Sequence, residues 1–214
     1  VKINKNNYDP HSIQSLVVKE KFNDDRRSEI SHSEDEIDME DLIADEDVVI
    51  TISHSGYIKR MPMDTYKSQK RGGKGITAMT TKEEDFVEQI FITTTHNYLI
   101  FFTNKGKCYR LKVYEIPETG RQSKGTNIVN LLNITGEEKI TTVISLKEYS
   151  EDQFLLAATK GGMIKKTPLT EYDTSRKAGI IAIKLDGDDE LISVQLTDGG
   201  QDILMVTHSG QAIR

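Results

Sequence analysis

One pattern recurs four times and limits what this chain can become. A short run rich in Ile, Val, Phe and Thr leads into a three-residue turn ending in glycine, and a second short run follows. The turns are His54-Ser55-Gly56, Asn104-Lys105-Gly106, Lys160-Gly161-Gly162 and His208-Ser209-Gly210, and the fourth residue after each glycine is basic: Arg60, Arg110, Lys166 and Arg214. Runs of this composition, bounded by glycine turns, read as β-hairpins. The glycines lie 50, 56 and 48 residues apart. After each of the first three hairpins comes another cation (Arg71, Arg121, Lys177), then a glycine (Gly75, Gly125, Gly179), and then a third strand-like run at 76–79, 128–132 or 180–185. An acidic turn and a fourth run, at 86–93, 140–146 or 191–196, close the unit. Four strands in roughly 50 residues is the period of a propeller blade. The expectation is an all-β fold: a β-propeller or pinwheel of four-stranded blades, incomplete as a ring, with three units and the first hairpin of a fourth. The units run over about 48–97, 98–151, 152–201 and 202–214.

The segment before them has a different texture. Residues 1–20 show no clear helical or strand period, and 21–47 hold 12 acidic residues against Lys21, Arg26 and Arg27. Residues 1–47 are therefore expected to be an irregular N-terminal segment and acidic linker, either solvated or a binding tail. Dividing the charge there changes its meaning. The net charge of −6 splits into −8 for residues 1–47 and +2 for the rest. A nearly neutral β region binds a polyanion only if its cations are segregated. The repeat offers such segregation, with bases after each hairpin and in the long loop, and carboxylates at the next turn.

The loop of the first unit is the richest in cations and glycine: Gln69-Lys70-Arg71-Gly72-Gly73-Lys74-Gly75. Lysine and arginine supply charge that suits phosphodiesters, and glycine lets backbone N–H groups come close to a phosphate. Gln69 either donates to a phosphate oxygen or braces the loop. Plainer versions follow at Arg121-Gln122-Ser123-Lys124-Gly125 and Arg176-Lys177-Ala178-Gly179. The candidate DNA-contacting residues are those of the 69–75 box together with Lys59, Arg60, Arg110, Arg121, Lys124, Lys165, Lys166, Arg176, Lys177 and Arg214. Gly72-Gly73-Lys74-Gly75-Ile76-Thr77 lacks the spacing of a nucleotide-binding P-loop.

The box matches the signature of the family of C-terminal domains of the DNA gyrase A subunit, and its surroundings resemble that family too. The likeness runs through residues 47–60, Phe101-Phe102-Thr103-Asn104-Lys105-Gly106-Lys107, Tyr114-Glu115-Ile116-Pro117-Glu118 and Ser123-Lys124-Gly125. Lys21-Phe22-Asn23-Asp24-Asp25-Arg26-Arg27 is similar to the exit from that protein's helical region, so the likeness covers about 19–214. It implies a six-bladed β-pinwheel whose basic rim binds, bends and wraps double-stranded DNA without reading sequence. The box would lie on the first blade and be needed for wrapping. The parent enzyme implied is an ATP-dependent type II topoisomerase that introduces negative supercoils. The rest of the gyrase A subunit and the gyrase B subunit would complete an A2B2 heterotetramer, with ATP and Mg2+ bound elsewhere and no cofactor in this fragment. The family's DNA-cleaving tyrosine belongs to a preceding domain, so no tyrosine here inherits a catalytic role.

Other readings are the C-terminal domain of the topoisomerase IV A subunit and a non-catalytic protein-interaction propeller. No Ser/His/Asp or metal-ligand constellation appears, and Cys108, aligned with Ile58 and Ile164, reads as a core residue. Lacking a signal-peptide core and any apolar run of about 20 residues, the chain is expected to be cytoplasmic and away from membranes.

Overall fold

The computed structural model describes residues 18, 20–22, 39–65, 85–134, 136 and 138–214. The chain separates into two compact units, Val1–Asp38 and Met39–Arg214. In the first, the described residues 18 and 20–22 are helical and exposed. The second begins with a short 3-10 turn at Met39–Leu42, and its described residues are otherwise built of strands joined by loops and further short 3-10 turns.

The hairpins lie where the glycine turns place them. The first pairs β1 (Asp47–Ser53) with β2 (Tyr57–Pro62), and β3 (Val87–Thr94) adds to the other side of β1. The second pairs β4 (Tyr98–Thr103) with β5 (Lys107–Lys112). Gly56, Gly106, Gly162 and Gly210 all take positive φ, between 73° and 88°, which an L side chain adopts only with strain. Next come β6 (Thr126–Asn127), β7 (Ile140–Leu146), β8 (Phe154–Thr159), β9 (Ile164–Pro168), β10 (Ile180–Ile181) and β11 (Leu191–Thr197). The final hairpin is β12 (Met205–Val206) with β13 (Ala212–Ile213).

The four-stranded sheets are real, but one strand of each comes from the following unit. The strand order is β3-β1-β2-β6 in the first sheet and β10-β5-β4-β7 in the second. Thus β6, which follows the second hairpin, pairs with the first hairpin through Tyr57–Asn127 and Ile58–Thr126. Likewise β10 pairs with β5 through Cys108–Ile180 and Lys107–Ile181. The sequence pattern places longer third strands, over 128–132 and 180–185, inside their own units. Instead the chain leaves the swapped strand after two residues, turning into a 3-10 turn at Ile128–Asn130. It is fastened there by Ile128 N–H to the Gly56 carbonyl (2.9 Å) and, in the next unit, Ala182 N–H to the Gly106 carbonyl (2.8 Å). The run at 76–79 lies outside the described residues. The third sheet has the order β11-β8-β9 among the described residues.

Two cores lie between blades rather than within them. One joins Val48, Ile50, Ile52 and Ile58 to Leu99, Phe101, Tyr109, Leu111 and Ile128. The other joins Ile100, Phe102 and Cys108 to Leu155, Ala157, Leu169, Tyr172 and Leu191. Alternate residues of β4 serve opposite cores, so the strand is an unbroken apolar run, as a strand covered on both faces requires. The edge strands β3, β7 and β11 meet one another through Thr93–Ser145 (2.7 Å) and Val194 N–H to Thr142 Oγ1 (3.2 Å). The opposite edge of each four-stranded sheet carries the swapped strand and the loop that leads into it.

Candidate nucleic-acid interface

The candidate cations divide into two groups once their partners are traced. On the strands they are largely committed to the protein itself. Arg60 donates Nε–H to the Ile116 carbonyl (3.1 Å) and lies 3.8 Å from Glu118, with a side chain only 15% exposed. Arg110 pairs with Asp173 at 2.7 Å and stacks over the Tyr98 ring at 4.8 Å. Lys165 donates to the Ala182 carbonyl (2.8 Å), and the Lys166 ammonium lies 4.1 Å over the Phe154 ring. Arg214 is paired with Asp202. The rim is therefore mixed in sign at Arg60 and Arg110, where the repeat phasing suggests an unbroken basic stripe.

Lys59 requires a correction. Counted with Arg60 as a rim cation, it is fully buried at 0% exposure. Its ammonium donates to the carbonyls of Gly120 (3.3 Å), Arg121 (2.9 Å) and Ser123 (3.2 Å). It cannot reach a phosphate. Burial, followed by the charge of Arg121, pulls it below the ordinary lysine value. The sequence held a signal for this: side chains alternate along a strand, so residues 59 and 60 face opposite ways, and position 59 aligns with aromatic Tyr109.

The loops behave differently. Arg121, Gln122 and Lys124 are exposed, as are Arg176 and Lys177 in the equivalent loop one blade later. Among the described residues none of these four cations has an ion-pair partner. Each loop is pressed onto the preceding hairpin by a glycine of positive φ, Gly125 at 77° and Gly179 at 75°. A Cβ on Gly125 would overlap the Ile58 carbonyl, and one on Gly179 would come within 2.7 Å of Tyr109 Cε1. At Gly125 and Gly179 the missing side chain thus allows close approach of backbone to strand. The box residues Gln69, Lys70, Arg71, Gly72, Gly73, Lys74 and Gly75 lie outside the described residues.

The acidic turns have a structural task that sequence reasoning missed. Asp85 Oδ1 accepts from Ser55 N–H (2.9 Å), and Asp189 Oδ1 from Gly161 N–H (2.7 Å), each bracing a hairpin turn. A hydrogen bond from the Thr159 side chain, partly offset by desolvation and reinforced by the Gly161 and Glu190 N–H groups, lowers the Asp189 pKa. Glu138 is nearly buried and binds Lys107 Nζ (2.7 Å) and the Tyr109 hydroxyl (3.1 Å). In the acidic segment, Glu40 is committed to Lys112 Nζ at 2.8 Å. Among the described residues no group of three His, Cys, Asp or Glu side chains could hold a metal, and no helix is long and apolar enough to cross a membrane.

Known proteins share both the sequence and the fold. The family model described as the DNA gyrase C-terminal domain, β-propeller, matches residues 47–94, 97–147 and 153–198. The DNA gyrase A subunit of Clostridium acetobutylicum is 59% identical over 197 residues, covering 92% of this chain and 24% of that protein. The DNA gyrase A subunit of Halalkalibacterium halodurans is 51% identical over 199 residues, covering 93% of this chain and 24% of that protein. The chain thus spans about a quarter of the length of these curated relatives. Among solved structures, the C-terminal domain of DNA topoisomerase IV aligns with a TM-score of 0.69 at 31% identity, over 80% of this chain and 52% of that one. The DNA gyrase A C-terminal domain aligns at 0.60 and 30%, over 78% and 53%.

Proposed function

The chain belongs to the DNA gyrase C-terminal β-propeller family, and we propose that it binds duplex DNA through phosphates, bending and wrapping it along the loop edge of its blades. One observation carries this reading: equivalent interblade loops present Arg121 and Lys124, then Arg176 and Lys177, to solvent without ion-pair partners among the described residues. Repetition matters energetically. Bending 20–30 base pairs by 40–90° costs roughly 1–6 kcal/mol, more than one exposed loop offsets but within reach of cations repeated at each blade. Phosphate contacts position DNA without reading its sequence, which suits a surface that recurs with the blade period.

In this reading Lys70, Arg71 and Lys74 of the first loop fasten one end of the wrap. The parent enzyme is a gyrase that uses ATP, with Mg2+, at sites outside this chain to introduce negative supercoils. The rest of the gyrase A subunit and a gyrase B subunit complete the A2B2 assembly, in the cytoplasm. The topoisomerase IV reading has support in the 0.69 TM-score, while the 59% identity and the box favour gyrase. DNA bending followed by energy transfer between end-labelled dyes across a salt series tests the proposal. Bending should fall when Lys70, Arg71 and Lys74 become alanine; unchanged bending would remove the box from the mechanism. No binding even at low salt would favour a protein-interaction propeller.

A further inference from the structure

The swapped arrangement leaves one buried cation between two blades, at the base of a loop that carries two exposed ones. Lys59 on β2 is fully buried, its three ammonium donors have three carbonyl acceptors in the loop of the next unit, and that loop is a closed turn, with Ser123 N–H donating to the Gly120 carbonyl (3.1 Å). Ser123 Oγ also accepts from Gly125 N–H (3.1 Å), and Thr119 N–H donates to the Arg60 carbonyl (3.1 Å), so both ends of the turn are tied down. Directing the carbonyls of residues 120, 121 and 123 inward leaves the side chains of Arg121, Gln122 and Lys124 outside.

We propose that Lys59 is a positioning residue for DNA binding: seated in this carbonyl cage, its ammonium fixes the loop so that Arg121 and Lys124 present their charges together on the outer edge. This rests on the DNA-binding reading above. Lysine is suited to the task, because its three donors match three acceptors, whereas an apolar side chain would leave the carbonyls unsatisfied. The device differs from blade to blade. At the equivalent position in β5, Tyr109 lies under Gly179 and turns its hydroxyl to Glu138, while Lys165 of β9 reaches the Ala182 carbonyl of its own unit. Among the described blades, only the first boundary holds its cationic loop by an ammonium.

The test is fluorescence anisotropy of a labelled duplex with the full 214-residue chain, read as the slope of log affinity against log salt. Each phosphate contact contributes about 0.9 to that slope, so Arg121→Ala/Lys124→Ala should lower it by about 1.8. Lys59→Met is expected to lower it by up to the same amount while speeding amide exchange across 118–125, and the triple variant should match the double. A wild-type slope in Lys59→Met, or a triple variant whose loss is the sum of the two, overturns the positioning role. If the double variant itself keeps the wild-type slope, the phosphate-binding reading fails at this loop and the positioning role falls with it. Should Lys59→Met not fold, Gly125→Ala lifts the loop from β2 without removing a charge; it should lose the same slope, and a wild-type slope there is equally fatal.

Discussion

Cys108 occupies the place that isoleucine holds in the neighbouring hairpins, at Ile58 and Ile164, and it packs with Phe102, Leu155 and Tyr172 between two blades. Burial alone pushes its thiol from 9.0 up to about 12. In the unfolded chain the thiol loses its proton near 9, while in the folded chain it keeps it. The stabilisation from burying a neutral thiol is therefore complete below about pH 9 and is lost as pH rises toward about 12, by at most about 4 kcal/mol. Melting temperatures measured from about pH 7 to 11 should fall more steeply for the native chain than for Cys108→Ala, and iodoacetamide should label Cys108 only on unfolding. The core role of this residue was legible because the repeat supplies two aligned isoleucines. Lys59 is misread when its cation is counted without regard to the side of the strand it occupies.

At the scale of elements, the hairpins were readable because their turns demand glycine and their strands alternate or run apolar over five or six residues. The swapped strands were not. A two-residue strand such as β6 or β10 has too little pattern to select a partner, and pairing with the preceding hairpin is decided by where Gly125 and Gly179 allow the backbone to lie. Substituting Gly179→Ala introduces both a positive-φ strain and a Cβ against the Tyr109 ring and the Cys108 carbonyl (2.9 Å). A loss of about 1–3 kcal/mol is expected, read by denaturant melts, with amide exchange accelerating first around 174–181. A similar loss without local loosening there would argue that the loop is not held at this glycine.

At the scale of the molecule, composition conceals what the fold does. A chain of net charge −6 does not look like a DNA-binding protein until the acidic segment is set apart and the strand cations are seen to be spent on internal partners. Among the described residues, the exposed candidate cations without ion-pair partners at Arg121, Lys124, Arg176 and Lys177 sit on loops spaced one blade apart, each tied to the hairpin of the unit before it. The salt dependence of duplex affinity tests this most directly, comparing the native chain with a variant in which Arg121, Lys124, Arg176 and Lys177 are all alanine. Four phosphate contacts predict that the slope of log affinity against log salt shrinks by about 3.6. Equal slopes for the two proteins would contradict the assignment of these loops to DNA.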